Sequence, residues 1–446
     1  MRSFVEPLEG NKVKVCVEVD EVEFETDINA AFRKIALEVR LPGFRPGKAP
    51  RKVLESRIGL APARQQALQD GLSGYLARAV KENSVDIIAP PEVEVTAGEE
   101  AGPISFEAIV QVRPKVLVPG YAGLRVEMPS PELTDDEAKG PIDNELRRHG
   151  SLQAVERPAV RGDQVTIDLA AHRDGEPVAG LNTDDWLYEV GKGWVAAGFD
   201  DELVGTTPGD TKTFTSLPSG TDDPAEFTFT VKGVQEMVLP ELTDEWVADN
   251  VGEFNTVEAW KASARDRLSL MKRAQASRAL VEQTTSALAD LVDDEMPEAL
   301  INHDFQYRAQ NFIEQIQSQG IPFEQYLQIT GQDQKQLIDS IRESSVRAVK
   351  VDVALRAVAD AEGLSADDDD VAAEYERIAS QVGQKVQAVR KAYEKNDGVD
   401  DLKTELRKRK AMDLLLDRVE VVDPEGHPIE RSLFMLNSDS VGGEEA

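Results

Sequence analysis

The sequence has few of the residues from which reactive and metal-binding sites are usually built. It contains one cysteine, Cys16, and four scattered histidines in 446 residues. A single cysteine forms no disulfide within the chain and suits a reducing compartment, which predicts a cytoplasmic protein. Because no cluster of metal-ligating residue types is present, we expect neither a metal nor a cofactor.

Long apolar runs and the common motif signatures are also missing. No stretch approaches the roughly 18 apolar residues of a membrane helix, and the N-terminal residues lack the apolar segment of a secretory signal. The motifs GxGxxG, GxxxxGK[ST], HExxH and GxSxG do not occur. The sequence therefore predicts no membrane association and none of the common nucleotide, zinc or hydrolase sites.

Charge is present in excess, but it is unevenly distributed. The chain carries 50 Lys and Arg against 83 Asp and Glu, a net charge of −33, yet residues 1–118 are nearly neutral. Within them, residues 33–64 carry nine cations against Glu38 and Glu55. A solvated helix face is one interpretation of this basic island. A polyanion-docking surface is the interpretation we favour, because the rest of the protein would repel a polyanion.

The basic island is centred on one loop, Gly43-Phe44-Arg45-Pro46-Gly47-Lys48-Ala49-Pro50. Two glycines and two prolines exclude a helix or a central strand. An aromatic ring, a guanidinium and an ammonium stand at its tip. A rigid loop loses little entropy on docking, which favours a binding role over an ordinary turn.

The segment around this loop, residues 1–118, is predicted to be one α+β domain. Residues 12–19 alternate valine with polar residues, which indicates a strand. A helix capped by Thr26 or Asp27 should run to Val39, and further strands are expected at 93–95 and 104–110. Residues 119–157 are predicted to be a linker with one helix.

The remaining chain is expected to form two further domains and a tail. Residues 158–238 are β-rich, with a hairpin turn at Asp174-Gly175 and one short helix at 195–203, which suggests a half-barrel wrapped around a helix. Residues 239–423 are helical, with apolar residues interleaved with polar ones. They form either a plain bundle or a surface with partly exposed apolar residues. Residues 424–446 are predicted to be disordered.

About residues 1–420 resemble the bacterial trigger factor family of ribosome-associated chaperones. The loop matches that family's G-F-R-x-G-x-x-P signature at Gly43, Phe44, Arg45, Gly47 and Pro50, and the other segments follow in the family's order. The resemblance implies an α+β multidomain protein that has an α+β ribosome-binding domain, an FKBP-like β half-barrel around a short helix and an all-α chaperone domain.

The same resemblance implies the partners. Phe44, Arg45 and Lys48 would contact a ribosomal protein and rRNA beside the exit tunnel of the large subunit. The helical region would shield nascent and unfolded polypeptides without ATP. Family members can form homodimers off the ribosome, so a dimer is an expectation for the free protein.

Residues 158–238 resemble the FKBP type of peptidyl-prolyl isomerase at 165–168, 174–175 and 191–205. Prolyl isomerisation faces a barrier of about 18–20 kcal/mol from amide resonance. An apolar cup that desolvates the carbonyl suffices, so no nucleophile or general base is needed. By resemblance, the catalytic cup comprises Leu169, Val178, Trp186, Val195, Ala196, Phe199 and Phe229.

The cup departs from the family pattern. Leu169 and Val178 stand where aromatic residues are usual, Ala196-Ala197 replaces Ile-Pro, and the flap at 216–225 is short. Two interpretations therefore stay open for the domain, namely isomerase catalysis or peptide binding alone. A third interpretation for the whole chain is a non-enzymatic helical adaptor with a basic loop that docks on the ribosome or on RNA.

Overall fold

The structure is a computed structural model that describes residues 1–39, 44–45, 47–173, 175–221, 223–331 and 333–434. The chain divides into two compact units. The first joins Met1–Pro129 to Arg278–Ile429, and the second joins Ser130–Ser277 to Glu430–Ala446. The five-part domain division made from the sequence stays a prediction.

The described residues form strands and helices in mixed order. The strands are β1 (Arg2–Leu8), β2 (Lys12–Val19), β3 (Glu92–Ala97), β4 (Ile104–Gln111), β5 (Arg125–Glu127), β6 (Ser151–Ala154), β7 (Gln164–Arg173), β8 (Glu176–Pro177), β9 (Thr183–Glu189), β10 (Thr211–Ser216), β11 (Ala225–Val238) and β12 (Glu420–Val422). The helices are α1 (Glu21–Glu38), α2 (Arg51–Ile58), α3 (Ala61–Glu82), α4 (Asp135–Arg148), α5 (Phe199–Leu203), α6 (Asp244–Asn250), α7 (Val257–Asp290), α8 (Glu298–Ser318), α9 (Phe323–Thr330), α10 (Gln334–Ala361), α11 (Asp368–Val382), α12 (Val386–Lys395) and α13 (Val399–Arg418).

The N-terminal part of the first unit is a four-stranded antiparallel sheet in the order β1-β2-β4-β3, covered by α1 and α3. Val15, Val17 and Val19 are buried on one face of β2, as the alternation predicts. They share one core with Phe24 and Phe32 of α1. This core supports α1, whose C-terminal end leads into the basic loop.

Two features of this sheet domain differ from the sequence expectation. Strand β1 was not expected. Helix α1 begins at Glu21 rather than after Thr26 or Asp27, with Asp20 in an extended conformation at its N-cap position. Glu21 and Glu23 in the first turn stabilise the positive end of the helix dipole, and burial of Phe24 extends the apolar stripe of the helix by one turn.

The second unit contains a six-stranded antiparallel sheet. Its path is β10-β11-β7-β8, with β6 also paired to β11 and β9 to β7. The central strands β7 and β11 turn their alternate residues into one core, which also takes Phe199 and Leu203 of α5. A register shift between Val231 and Gly233 bends β11 along its length.

The predicted helix at 195–203 is shorter in the structure. Gly198 has a φ of +76°, a left-handed conformation that L side chains rarely adopt, and α5 begins only after it. Ala196 instead forms an isolated antiparallel bridge with Pro218. The predicted turn at Asp174-Gly175 lies partly outside the described residues, because Asp174 is not among them.

The C-terminal part of the first unit is helical, as expected. Its helices begin and end at local sequence signals. Pro297 precedes α8 and Pro322 precedes α9, Gly363 follows α10 within two residues, and Asp367 forms a capping box with Asp370 at α11. The fold class predicted from the sequence, a mixed α and β multidomain protein with a helical C-terminal region, is confirmed.

Parts of the predicted linker and tail are structured. Strand β5 pairs in parallel with β12 over three residues. Beyond β12, the Ile429 N–H donates to the Val421 carbonyl and the Asp423 N–H to the His427 carbonyl. Residues 424–434 therefore do not match the expectation of disorder, and residues 435–446 lie outside the described residues. No helix among the described residues is long and apolar enough to cross a membrane.

Candidate functional site

The basic loop is tied to the end of α1 by backbone contacts. The Gly47 N–H donates to the Ala36 carbonyl at 2.7 Å, and the Lys48 N–H donates to the Arg45 carbonyl at 3.0 Å. Gly47 has a φ of +78°, and a Cβ at this position would lie 2.6 Å from Leu37 Cδ2. Glycine is therefore favoured here by the backbone conformation, and a Cβ would also displace the exposed side chain of Leu37.

The tip of the loop presents the side chains that the sequence singles out. Phe44 is 41% exposed, and Arg45, Lys48 and Pro50 are exposed as well. Neither Arg45 nor Lys48 has an ion pair among the described residues. Gly43 lies outside the described residues, as does Pro46. The loop therefore offers one aromatic ring and two unpaired cations to a partner.

The basic island around the loop is narrower than the sequence indicates. Arg64 is 1% exposed; its Nε donates to the Gly98 carbonyl at 2.7 Å, and its guanidinium lies over the Phe24 ring. Lys34 pairs with Asp70 at 2.7 Å, and Arg51 pairs with Glu25. Among the described residues of 33–64, the exposed cations without an ion pair are Arg33, Arg45, Lys48, Lys52 and Arg57.

All seven residues of the predicted cup belong to the core of the six-stranded sheet. Leu169, Val195, Ala196, Phe199 and Phe229 are buried, and Val178 and Trp186 pack against them while partly exposed. The rings of Phe199 and Phe229 meet edge to face, with centroids 5.5 Å apart. Because these two rings are fully buried, the cup reaches solvent at Trp186 and Val178.

Sequence reasoning missed two residues at the centre of this cluster. Tyr188 is buried, with its ring centroid 5.0 Å from that of Trp186 and 5.4 Å from that of Phe199. Its hydroxyl donates to Asp200 Oδ1 at 2.8 Å. Burial and the neighbouring Asp200 raise the pKa of Tyr188 above its usual value.

The carboxylate of Asp200 also fixes the segment that leads into the cup. It accepts hydrogen bonds from the Gly191 N–H at 2.7 Å and from the Gly193 N–H at 2.8 Å. Alternation along β9 puts Tyr188 on the same face as Trp186, so a period-2 pattern was available to identify it. Asp200 gave no such signal, because the run Asp200-Asp201-Glu202 is typical of a surface.

The helical region of the first unit leaves apolar side chains uncovered. Tyr307, Ile313, Ile329 and Ile338 are all more than a third exposed. Tyr307 also lines a cavity of about 390 Å³ whose other walls come from α8 and α10. The same cavity is lined by Asn311, Gln315 and Ser340, whose amide and hydroxyl groups donate and accept hydrogen bonds. Such a surface suits flexible chains of varied sequence.

Metal binding has no visible basis in the residues that the structure describes. No group of three or more His, Cys, Asp or Glu side chains there is placed to hold a metal ion.

Together these sites define a modular binding protein with a basic docking loop, a sheet domain with an aromatic core and a helical region with uncovered apolar side chains. Comparison with known proteins gives the family. The model "Bacterial trigger factor protein (TF)" matches residues 1–145, and "Bacterial trigger factor protein (TF) C-terminus" matches residues 256–417. The chain belongs to the bacterial trigger factor family.

Individual relatives match along almost the whole chain. The trigger factor of Saccharopolyspora erythraea is 32% identical over 450 residues, which cover 100% of this chain and 96% of the relative. The trigger factor of a Nocardioides species is 33% identical over 447 residues, which cover 100% and 94%. A solved structure of the trigger factor chaperone has a TM-score of 0.46 and 22% identity, and covers 94% of this chain and 99% of that chain. The family role is that of a ribosome-associated chaperone, and the chain shares it.

Proposed function

We propose that the chain docks through Phe44, Arg45 and Lys48 beside the exit tunnel of the large ribosomal subunit and shields emerging polypeptides without ATP. The observation that carries this proposal is the loop itself. It presents unpaired cations and an exposed ring on a protein of net charge −33, and Gly47 fixes its backbone to α1. Cations meet rRNA phosphates, and the ring supplies apolar contact to a ribosomal protein.

Cosedimentation with ribosomes tests the docking. The variant Phe44→Ala/Arg45→Ala/Lys48→Ala should abolish pelleting with ribosomes while the binding of unfolded clients in solution survives. A matched control is Leu8→Ala/Arg2→Ala/Lys115→Ala. It removes the same charge from the same unit and an apolar side chain of similar exposure, 40% against 41%. Pelleting of the first variant at the level of this control would contradict the proposal.

The remaining parts of the proposal follow from this location. Nascent and unfolded chains are the clients, and the uncovered apolar side chains of the helical region, Tyr307 and Ile313 among them, are the contacts we assign to them. Since ribosomes work in the cytoplasm, the protein acts there. Off the ribosome, the same uncovered surfaces support a homodimer, which sedimentation of the free protein over a range of concentrations would detect.

We further propose that the six-stranded sheet domain is an FKBP-type peptidyl-prolyl isomerase. Supporting this, the seven cup residues pack in one cluster around α5, with Trp186 at the solvent-facing side. A prolyl bond held against apolar walls loses the water that stabilises its planar, resonant form, which lowers the barrier to rotation. Uncatalysed isomerisation takes tens to hundreds of seconds, so acceleration is readily measured.

A proline-peptide assay tests this second activity. Trp186→Ala should lower kcat/KM by at least tenfold, because it removes the open wall of the cup. Leu187→Ala is the control, since Leu187 is the next residue on β9 and points to the opposite face.

Peptide binding without catalysis is the second candidate for this domain. The zero exposure of Phe199 and Phe229 favours it, because fully buried rings act as core rather than as walls open to a substrate. Isomerisation rates equal to those in buffer, together with retained peptide binding, would select this candidate and leave the chaperone role intact.

A further inference from the structure

A second tryptophan stands at the edge of the proposed cup. Trp194 immediately precedes the cup residues Val195 and Ala196, yet its side chain is 65% exposed. Tryptophan combines a large apolar ring with a polar N–H, which makes it a frequent contact residue at binding surfaces. The predicted cup does not include Trp194.

The ring of Trp194 continues the aromatic cluster of the cup. The centroid of the Tyr188 ring lies 5.0 Å from that of Trp186 and 6.5 Å from that of Trp194, so the two tryptophan centroids are at most about 11.5 Å apart. The Tyr188 and Trp194 rings meet edge to face at 78°. The buried Tyr188 ring therefore links Trp186 at the mouth of the cup to Trp194 on the outer surface.

The backbone that carries Trp194 is held on both sides. Asp200 accepts from the Gly191 and Gly193 N–H groups. On the other side, the Ser219 N–H donates to the Val195 carbonyl at 2.9 Å, and the Ser219 hydroxyl donates to the Gly193 carbonyl at 3.4 Å. Lys192 Nζ lies over the Trp194 ring, 6.0 Å from its centroid. A surface side chain on a backbone this constrained is preorganised for contact, which reduces the entropy cost of binding.

We propose that Trp194 is a specificity subsite that contacts an apolar client side chain two to four residues from the proline held in the cup. This inference rests on the proposed peptide pocket. An extended chain advances about 3.3 Å per residue, so two to four residues span the distance between the Trp186 and Trp194 rings. The occupant is an unfolded client segment with a leucine or an aromatic residue at that distance, because the cup already places an extended chain beside the ring.

The test uses the full chain and a set of peptides with one prolyl bond. In each peptide, a single position from four residues before to four residues after the proline is either leucine or serine. We expect the leucine peptide to have a kcat/KM about fivefold above the serine peptide at one position two to four residues away. The ratio stays below the tenfold or more that one methylene gives inside a closed pocket, because the Trp194 surface is open.

Three variants separate this subsite from a structural effect. Trp194→Ala should bring the leucine-to-serine ratio close to one, mainly through a higher KM for the leucine peptide. Trp194→Phe should retain a ratio above two, and Leu187→Ala should retain the full ratio. An unchanged ratio in Trp194→Ala, or no preference at any position in the original chain, would overturn the proposal.

Two further results distinguish the Trp194 subsite from the isomerase proposal and from self-association of the chain. If the original chain catalyses no isomerisation, the enzyme proposal fails. The same peptides are then compared by binding affinity, where a leucine preference lost in Trp194→Ala still supports the subsite. If the chain shows no leucine preference and Trp194→Ala instead weakens self-association in sedimentation, the ring is covered by a second copy of the chain and the peptide subsite is wrong.

Discussion

Arg113 and Asp352 form an ion pair of 2.8 Å that joins the end of the N-terminal sheet to the middle of α10. Asp352 also accepts from Arg356 at 3.1 Å and from Lys408 at 2.6 Å. Their side chains are only 16–27% exposed. One carboxylate thus holds three cations from three segments of the same unit.

Replacing Asp352 with alanine should destabilise this unit by about 1–2 kcal/mol. Three partly buried cations lose their shared partner, although Arg113 and Arg356 keep Asp86 and Lys408 keeps Glu405. The expected loss is below the roughly 3–5 kcal/mol of fully buried pairs, since water still reaches the cluster. Urea unfolding followed by circular dichroism measures the change. Asp369→Ala is the control, because Asp369 is exposed and has no ion pair in the described chain. Equal stability of the two variants would contradict the prediction.

Replacing Asp200 with alanine should destabilise the sheet domain by about 2–4 kcal/mol. The change leaves the buried Tyr188 hydroxyl and the Gly191 and Gly193 N–H groups without an acceptor. Unfolding of the domain is read from tryptophan fluorescence, to which Trp186 and Trp194 contribute.

The neighbouring Asp201→Ala is a matched control for Asp200→Ala. Asp201 pairs with Arg161 on the surface, where both side chains are about two-thirds exposed, so its loss costs at most about 1 kcal/mol. A difference between the two variants below 1 kcal/mol would show that Asp200 does not anchor the segment.

Replacing Gly47 with alanine should weaken ribosome cosedimentation without removing a charge. The left-handed conformation costs an L residue about 1–2 kcal/mol, and the new Cβ meets Leu37. Gly59→Ala is the control, because its φ of +77° and ψ of 179° impose at least as much backbone strain, outside the loop and with no neighbour within 4 Å. If Gly59→Ala impaired binding equally, general destabilisation would explain both effects.

Glu374 should make the stability of the helical region depend on pH. Hydrogen bonds from Arg377 and Arg409 lower the pKa of this buried carboxylate from 4.5 to about 2. Because the folded-state pKa is depressed, the stabilisation is complete above about pH 4.5 and is lost as the pH falls toward 2. The difference in unfolding free energy between the original chain and Glu374→Gln should shrink by about 2 kcal/mol from pH 7 to pH 3.

The control for Glu374→Gln is Glu376→Gln, two residues along the same helix and exposed. Its stability should follow that of the original chain over the whole pH range. A gap between Glu374→Gln and the original chain that stays constant from pH 7 to pH 3 would rule out the linkage.

Local signals in the sequence predicted most elements of the fold. Valine alternation located β2, and the strands expected at 93–95 and 104–110 lie within β3 and β4. Each of these signals determines the structure of residues only a few positions away. It can therefore be recognised without knowing which distant segments pack against those residues.

The features that were missed depend on distant partners. In the sequence, Arg64 belongs to the basic island, but in the structure it is buried and donates hydrogen bonds to the carbonyls of Gly98 and Gly102. Asp200 is buried because Tyr188 and two backbone N–H groups satisfy it. Of the candidate sites, the residue types of the loop and the cup could be chosen from motifs. Only the structure shows that Phe44 is exposed, that Gly47 lies close to Leu37 and that Phe199 is buried.

The parallel pairing of β5 with β12 can form only after most of the chain has been synthesised. Val126 of β5 pairs with Val421 of β12, which is synthesised about 295 residues later. At about 5–20 residues per second, that delay is roughly 15–60 s. Residues 130–277, the larger part of the second unit, are all made within this interval, so this part has time to fold before the first unit is complete. During its own translation the protein is thus an incomplete chain in which the β5 strand has no partner, and incomplete chains are what its family of chaperones shields.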